Sequence, residues 1–200
     1  MNQVLRAFIA IELPSEVQKK LSQVIQRLQE QLRDVSIRWV KPHNIHLTLK
    51  FLGEVSLNNL ETIKQILVKE AAEVSPFEFS IGELGAFPNV KRPRVLWLHV
   101  AAPPELFALQ RSIDTQTERL GYVSEERTYS PHITVGRVNR QVTPEDIHRI
   151  STLLQKTHIG LVEVVSVSTV TLFRSDLHPD GSVYTPLAVV SLKNSILDKR

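Results

Sequence analysis

Two hundred residues, 42% of them apolar and 22% charged, suit a folded domain that can bury a real core rather than a disordered chain. A formal charge of +3 permits a polyanionic partner without demanding one, and the absence of cysteine excludes disulfides, thiolate-ligated zinc and a cysteine nucleophile. No apolar run is long enough to span a bilayer, and the opening stretch carries Glu12 without a small-residue cleavage pattern, so a cytoplasmic protein without a signal peptide is expected.

Val4 to Ile11 nearly alternates and reads as a strand. After Leu13-Pro14, Ser15 is placed to cap a helix whose apolar positions are Val17, Leu21, Val24, Ile25 and Leu28, ending near Arg33-Asp34. A short strand over Ile37 to Val40 leads into the turn-prone Lys41-Pro42-His43-Asn44. Ile45 to Leu52 then alternates in period two and is expected to stop at Gly53. A second helix follows from about Leu57 to Ala72. Phe77 to Leu84 and Val95 to Val100 read as strands, joined by a loop from Phe87-Pro88 to Pro93.

Pro103-Pro104 opens a third helix, with Gly121 as its natural stop. Ile133 to Val138 is another strand. Thr143 then caps a fourth helix that has Pro144 in its first turn. Val162 to Phe173 and Val183 to Leu192 read as closing strands joined by the turn His178-Pro179-Asp180-Gly181, and Lys199-Arg200 is expected to fray. Paired strands lie between single helices rather than alternating with them one by one. The expected class is therefore α+β with mostly antiparallel sheets.

One weak internal repeat stands out. His46-Leu47-Thr48-Leu49 and His132-Ile133-Thr134-Val135 both have the form His-apolar-Thr-apolar, each within an expected strand. A shuffled chain of this composition would hold roughly 0.07 such matches, so the pair carries a signal that one copy would not. A lone histidine or threonine on the open face of a half-buried strand is common and says little.

Side chains on a strand alternate faces, so His46 and Thr48 share one face while Leu47 and Leu49 take the other. His132 and Thr134 relate to Ile133 and Val135 in the same way. If the two strands sit side by side, two imidazoles and two hydroxyls converge. Imidazole titrates near neutrality, so one ring can take a proton from an attacking water while the other gives one to a leaving oxygen. The hydroxyls can hold the non-bridging oxygens of a phosphate. A metal needs three or four ligands, and neither copy is accompanied by a His-x-x-x-His spacing or a carboxylate cluster. No metal or other cofactor is expected.

At these residues the chain resembles the 2H phosphoesterase superfamily, and within it the RNA 2′,3′-cyclic phosphodiesterases historically called 2′-5′ RNA ligases. The resemblance runs along almost the whole chain. It begins at Arg6-Ala7-Phe8-Ile9-Ala10-Ile11-Glu12-Leu13-Pro14 and Trp39-Val40-Lys41-Pro42, and is most specific over His46 to Glu54 (HLTLKFLGE). It continues through Phe87-Pro88, Pro93-Arg94-Val95-Leu96-Trp97 and Arg127-Thr128-Tyr129-Ser130-Pro131-His132, and ends on Ser175, Gly181 and Tyr184. The family often has Phe where Tyr129 stands.

The resemblance implies a single bilobal domain over residues 1–200, with two pseudo-symmetric lobes of antiparallel sheet, helices outside and a central cleft to which each lobe supplies one motif strand. It implies that His46 is the proton donor to the leaving 3′ oxygen and His132 the acceptor that activates water. Thr48 and Thr134 would bind the phosphate, and the product would be a 2′-phosphate. Arg127 is the candidate phosphate cation, since a guanidinium can bind two oxygens at once. His43, Phe87 and Tyr129 are candidates for lining the substrate site, the two aromatics by stacking on a base. Lys50 has the parity of His46 and Thr48 and could add charge near the cleft, although a surface role suits it as well.

The expected partner is RNA bearing a 2′,3′-cyclic phosphate end, such as a tRNA fragment, or a small cyclic nucleotide; no membrane partner is expected, and the protein is expected to be a monomer. Three other functions stay open on these residues: ligation of tRNA halves through a 2′-5′ bond, an RNA-end-binding module with little catalysis, and hydrolysis of small cyclic nucleotides or 2′-5′ oligoadenylates. The remaining histidines, His99, His148, His158 and His178, have no partner motif.

Overall fold

The computed structural model describes residues 4–124, 127–179 and 181–193. The elements run β1 (Val4–Glu12), α1 (Ser15–Gln31), β2 (Ile37–Trp39), a single 3₁₀ turn (Pro42–Asn44), β3 (His46–Ser56), α2 (Leu57–Ala72), β4 (Phe77–Phe87), β5 (Val95–Ala101), α3 (Pro104–Glu118), β6 (His132–Val138), α4 (Pro144–Lys156), β7 (Glu163–Val167), β8 (Thr169–His178) and β9 (Gly181–Ser191). The turn expected at 178–181 includes Asp180, which lies outside the described residues, as do Lys199 and Arg200.

The strands form two sheets, one in the order β3-β1-β8-β9 and the other in the order β2-β6-β5-β4-β7. Every pairing is antiparallel. Helices α2 and α3 pack on the first sheet, and α1 and α4 on the second. Apart from the extra edge strand β2, the two lobes correspond element by element: β3 with β6, β1 with β5, β8 with β4, and β9 with β7. This is the expected α+β architecture of two pseudo-symmetric lobes.

The helices form where their apolar stripes have a sheet to cover. In α1, Val17, Leu21, Ile25 and Leu28 are buried, and in α3 Leu106, Leu109, Ile113 and Thr117 are. α4 begins as its sequence dictates. The Thr143 hydroxyl accepts from the Asp146 N–H at 3.1 Å, the Asp146 carboxylate accepts from the Thr143 N–H at 3.3 Å, and Pro144 opens the first turn. α1 departs from expectation. Pro14 occupies the cap position and Ser15 is already helical, so no side chain caps this helix, which ends at Gln31.

Two strand expectations also fail. β3 does not stop at Gly53 but runs on to Ser56, because Gly53 takes φ +67° within a stretch where the β1–β3 register slips. The expected single strand from Val162 to Phe173 is two strands. The chain leaves the second sheet at Val167, passes Ser168 and enters the first sheet at Thr169, so β7 and β8 belong to different lobes. Among the described residues no helix is long and apolar enough to cross a membrane.

A main apolar core lies between the helices and the inner faces of both sheets. A second, small cluster of Phe8, Ala10 and Phe173, with Tyr184 packed against it, lies apart from that core. It forms an aromatic floor on the side of the first sheet that carries His46.

Candidate active site

The two motif strands are not neighbours in one sheet. β3 is the edge of the first sheet and β6 lies inside the second, with β2 beyond it, and the two strands meet across the boundary between lobes. A hydrogen bond joins the two motif segments directly. Tyr129, three residues before His132, donates its hydroxyl to the Thr48 carbonyl at 2.9 Å.

Each motif opens the same way. The His46 Nδ1 lies 2.8 Å from the Asn44 carbonyl, and the His132 Nδ1 lies 2.7 Å from the Ser130 carbonyl. A carbonyl oxygen can only accept, so in both rings Nδ1 carries the proton and donates it two residues back along the chain. The basic lone pair of each neutral ring is therefore on Nε2. The Asn44 and Ser130 carbonyls are equivalent in the two halves of the sequence, so the fold fixes tautomer and ring orientation twice by one device.

The surroundings of the two rings differ. His46 rests on the aromatic floor, with ring centroids 4.8 Å from Phe8, 5.3 Å from Tyr184 and 6.5 Å from Phe173. Burial against these rings lowers its pKa from 6.5 to about 4. The Asn44 carbonyl opposes this, and the positive charge of Arg137 adds to the lowering. His132 stands edge-on to Phe87 at 4.9 Å and lies 6.3 Å from Trp97. The Trp97 indole crosses β4 at Gly85, where a Cβ would come within 2.3 Å of the ring. A glycine is what allows it to lie there.

Arg137 is the residue that strand alternation hides. Strict parity groups it with Ile133 and Val135 on the buried face. However, the β5–β6 register slips between Leu96/Gly136 and Trp97/Thr134, leaving Val135 as the extra residue of a bulge. Val135 and Gly136 are both buried, and Arg137 emerges exposed on the side of His132 and Thr134. β3 does the same thing at Leu49. Lys50 is thereby turned inward, 5% exposed, where its ammonium donates to Asp114 and to the Val123 carbonyl. Both expectations for Lys50, charge near the cleft and a place at the surface, are therefore wrong, and the position equivalent to Arg137 is held by the exposed Phe51.

The wider sequence comparisons fit this doubled architecture. The LigT like phosphoesterase family model matches residues 11–97 and 99–184, two stretches that each hold one His-x-Thr-x motif. The chain belongs to the LigT-like phosphoesterase family. Among its relatives, a protein of Methanothermobacter thermautotrophicus named RNA 2′,3′-cyclic phosphodiesterase is 36% identical over 94% of this chain and 98% of its own length. One of that name from Thermotoga maritima is 32% identical over 92% and 93%. Among solved structures, TT0787 of Thermus thermophilus superposes with a TM-score of 0.77 at 28% identity, over 95% of this chain and 99% of that one. E. coli LigT complexed with 3′-AMP superposes with a TM-score of 0.75 at 27% identity, over 95% and 99%. The resemblance read from HLTLKFLGE and the second motif thus names the right family.

Within this LigT-like phosphoesterase the remaining expected site residues are placed as follows. Thr48 and Thr134 are partly buried on the same strands as the histidines, two residues on. Phe87 packs edge-on against His132. Tyr129 is mostly buried and serves as a tie between lobes rather than as an open stacking platform; burial holds its phenol well above the usual range. Arg127 is exposed in the loop before β6, and His43 is exposed in the 3₁₀ turn before β3. His99, given no role from sequence, faces His132 across β5–β6, where Glu12 faces His46 across β1–β3.

Proposed function

We propose that this LigT-like phosphoesterase opens 2′,3′-cyclic phosphate ends of RNA to 2′-phosphates by metal-independent acid/base catalysis with His46 and His132. The observation that carries this reading is the doubled Nδ1-to-carbonyl anchor. Two imidazoles on equivalent strands are each held with Nε2 as the atom that exchanges protons. The names of the full-length relatives support the substrate class.

In the proposed step, Nε2 of neutral His132 takes a proton from water as the water oxygen bonds to phosphorus. The bond from phosphorus to O3′ breaks, and Nε2 of protonated His46 gives its proton to O3′. The 2′ ester bond is kept. Thr48 and Thr134 hydroxyls hold the non-bridging oxygens, and Arg137 is the cation placed to offset their charge. Arg127 remains a candidate for contacts farther along the substrate.

With a pKa near 4, His46 is neutral at pH 7 in the ligand-free enzyme. Its acid role therefore requires the entering phosphate to raise that pKa, as an anion beside an imidazolium does. Among the described residues no group of three or more His, Cys, Asp or Glu is arranged to hold a metal ion.

The test is an oligonucleotide ending in a 2′,3′-cyclic phosphate, incubated with enzyme in excess EDTA, with the phosphate isomer identified in the product. A 2′-phosphate that no longer appears in His46→Ala and His132→Ala supports the reading. Full activity of His132→Ala, or a 3′-phosphate product, ends it.

A further inference from the structure

Beyond His132 the second sheet ends in a basic groove of about 910 Å³, lined by Arg38, Arg94, Arg137 and Arg140 with Ser36 and Asn139 between them. All four arginines are exposed. Arg38 and Arg137 stand directly opposite each other across β2–β6, and Arg94 and Arg140 flank them at the start of β5 and just past the end of β6.

Among the described residues none of the four forms an ion pair with a carboxylate; the ion pairs lie elsewhere on the surface and at Lys50. Arg94 reaches only the Asn139 carbonyl, at 3.3 Å. Like charges directly opposite on paired strands are unfavourable, and here no side chain relieves them. In a protein of net charge +3, four unpaired guanidinium groups in one concavity amount to a site for several negative charges.

The groove also adjoins the second motif strand, β6, whose Arg137 and Val138 line it. The charge of the same arginine is felt at His46. Arg137 therefore stands where the phosphate at the histidines and the rest of the groove meet, and Arg38, Arg94 and Arg140 are left for further phosphates of the strand. A 2′,3′-cyclic phosphate can only be the 3′ terminus of a strand, so the rest of the substrate extends on its 5′ side.

We propose that this arginine groove binds the phosphodiester backbone of the RNA strand on the 5′ side of the cyclic end. The inference rests on the proposed function for its substrate. It adds a second subsite that makes the enzyme favour strands over mononucleotides. Recognition there is electrostatic and independent of base identity.

The test compares wild type with the triple variant Arg38→Gln/Arg94→Gln/Arg140→Gln, leaving Arg137 in place. Two substrates are used: a 2′,3′-cyclic mononucleotide, and a decanucleotide of RNA ending in a 2′,3′-cyclic phosphate. For the decanucleotide, KM should rise roughly tenfold, and the slope of log KM against log salt should fall by about 2, the single-strand value for three lost phosphate contacts. kcat/KM for the mononucleotide should not change.

An unchanged KM for the decanucleotide, or an equal loss on both substrates, overturns the groove. Should the triple variant fail to fold, Arg140→Gln alone carries the test, with about a third of the change in slope. If wild type opens neither substrate the proposed function fails, and the groove is then judged separately. Fluorescence anisotropy of a labelled decanucleotide with a 3′-phosphate must show weaker binding to the variant, and equal binding rejects the groove.

Discussion

Tyr129 and Thr48 join the two halves of the site: the phenol of one lobe donates to a carbonyl inside the motif of the other at 2.9 Å. The bond lies three residues from His132 and two from His46, so it sets how the two motif strands stand to each other. Positioning of this kind matters because displacing a reacting group by about 1 Å can cost on the order of a hundredfold in rate.

Tyr129→Phe should therefore lower stability by about 1 kcal/mol, the usual worth of one such bond, and lower kcat about tenfold with little change in KM. Urea unfolding and steady-state kinetics on a cyclic-phosphate substrate measure the two effects. A stability loss with kcat untouched would reduce the bond to a purely structural role.

Arg137 and Arg127 offer a direct contrast. Arg137 emerges beside Thr134 through the bulge at Val135, whereas Arg127 is exposed in the preceding loop. Arg137→Gln should cost roughly 10² to 10³ in kcat, the scale for losing a group that stabilises developing charge. Arg127→Gln should cost no more than a few-fold. Removing the Arg137 charge should also raise the His46 pKa, since that charge lowers it. NMR titration of the imidazole resonances reads this shift independently of turnover, and no upward movement would contradict the assigned proximity.

The residues explain why some of this was legible from sequence and some was not. The α2 span and the Thr143–Pro144 start of α4 are fixed by local signals, an apolar stripe and a cap, and both come out as read. The paired motifs are legible because chemistry repeats at a fixed spacing. Bulges are another matter: a one-residue slip reverses every later side chain, so parity puts Lys50 on the wrong face and gives no sign of Arg137. Gly136 inside a strand was the available warning. The crossing at Ser168 has no such mark, because Val167 and Thr169 continue the same β-favouring pattern and only the tertiary partners differ.

Lys50 gives a prediction that follows from that reversal. Its ammonium is buried against Asp114 of α3 and the Val123 carbonyl, while Asp114 keeps 25% of its side chain exposed. Lys50→Met should destabilise the fold by about 2 kcal/mol, because it leaves a partly buried carboxylate and a carbonyl without their donor. Asp114 is wet enough that the cost should stay below that of a fully buried orphan charge. Well below the melting temperature kcat should be unchanged. A large loss of kcat in a folded Lys50→Met protein would put this lysine back among the groups that act on substrate.

His46 should make stability depend on pH over a defined window. Its folded pKa is about 4 against an ordinary value of 6.5, so between those values the unfolded chain binds a proton that the folded protein refuses. Stability then rises with pH. The contribution is fully present above about pH 6.5, is lost as pH falls towards 4, and changes no further below that. A difference of this size corresponds to up to about 3 kcal/mol. Denaturant unfolding at several pH values should show the decline in wild type. In His46→Gln, where nothing titrates against the Phe8, Phe173 and Tyr184 floor, the curve should be flatter by that amount. Parallel curves would mean that the imidazole takes up its proton within the folded site at ordinary pH, and that the aromatic floor does not hold it neutral before substrate arrives.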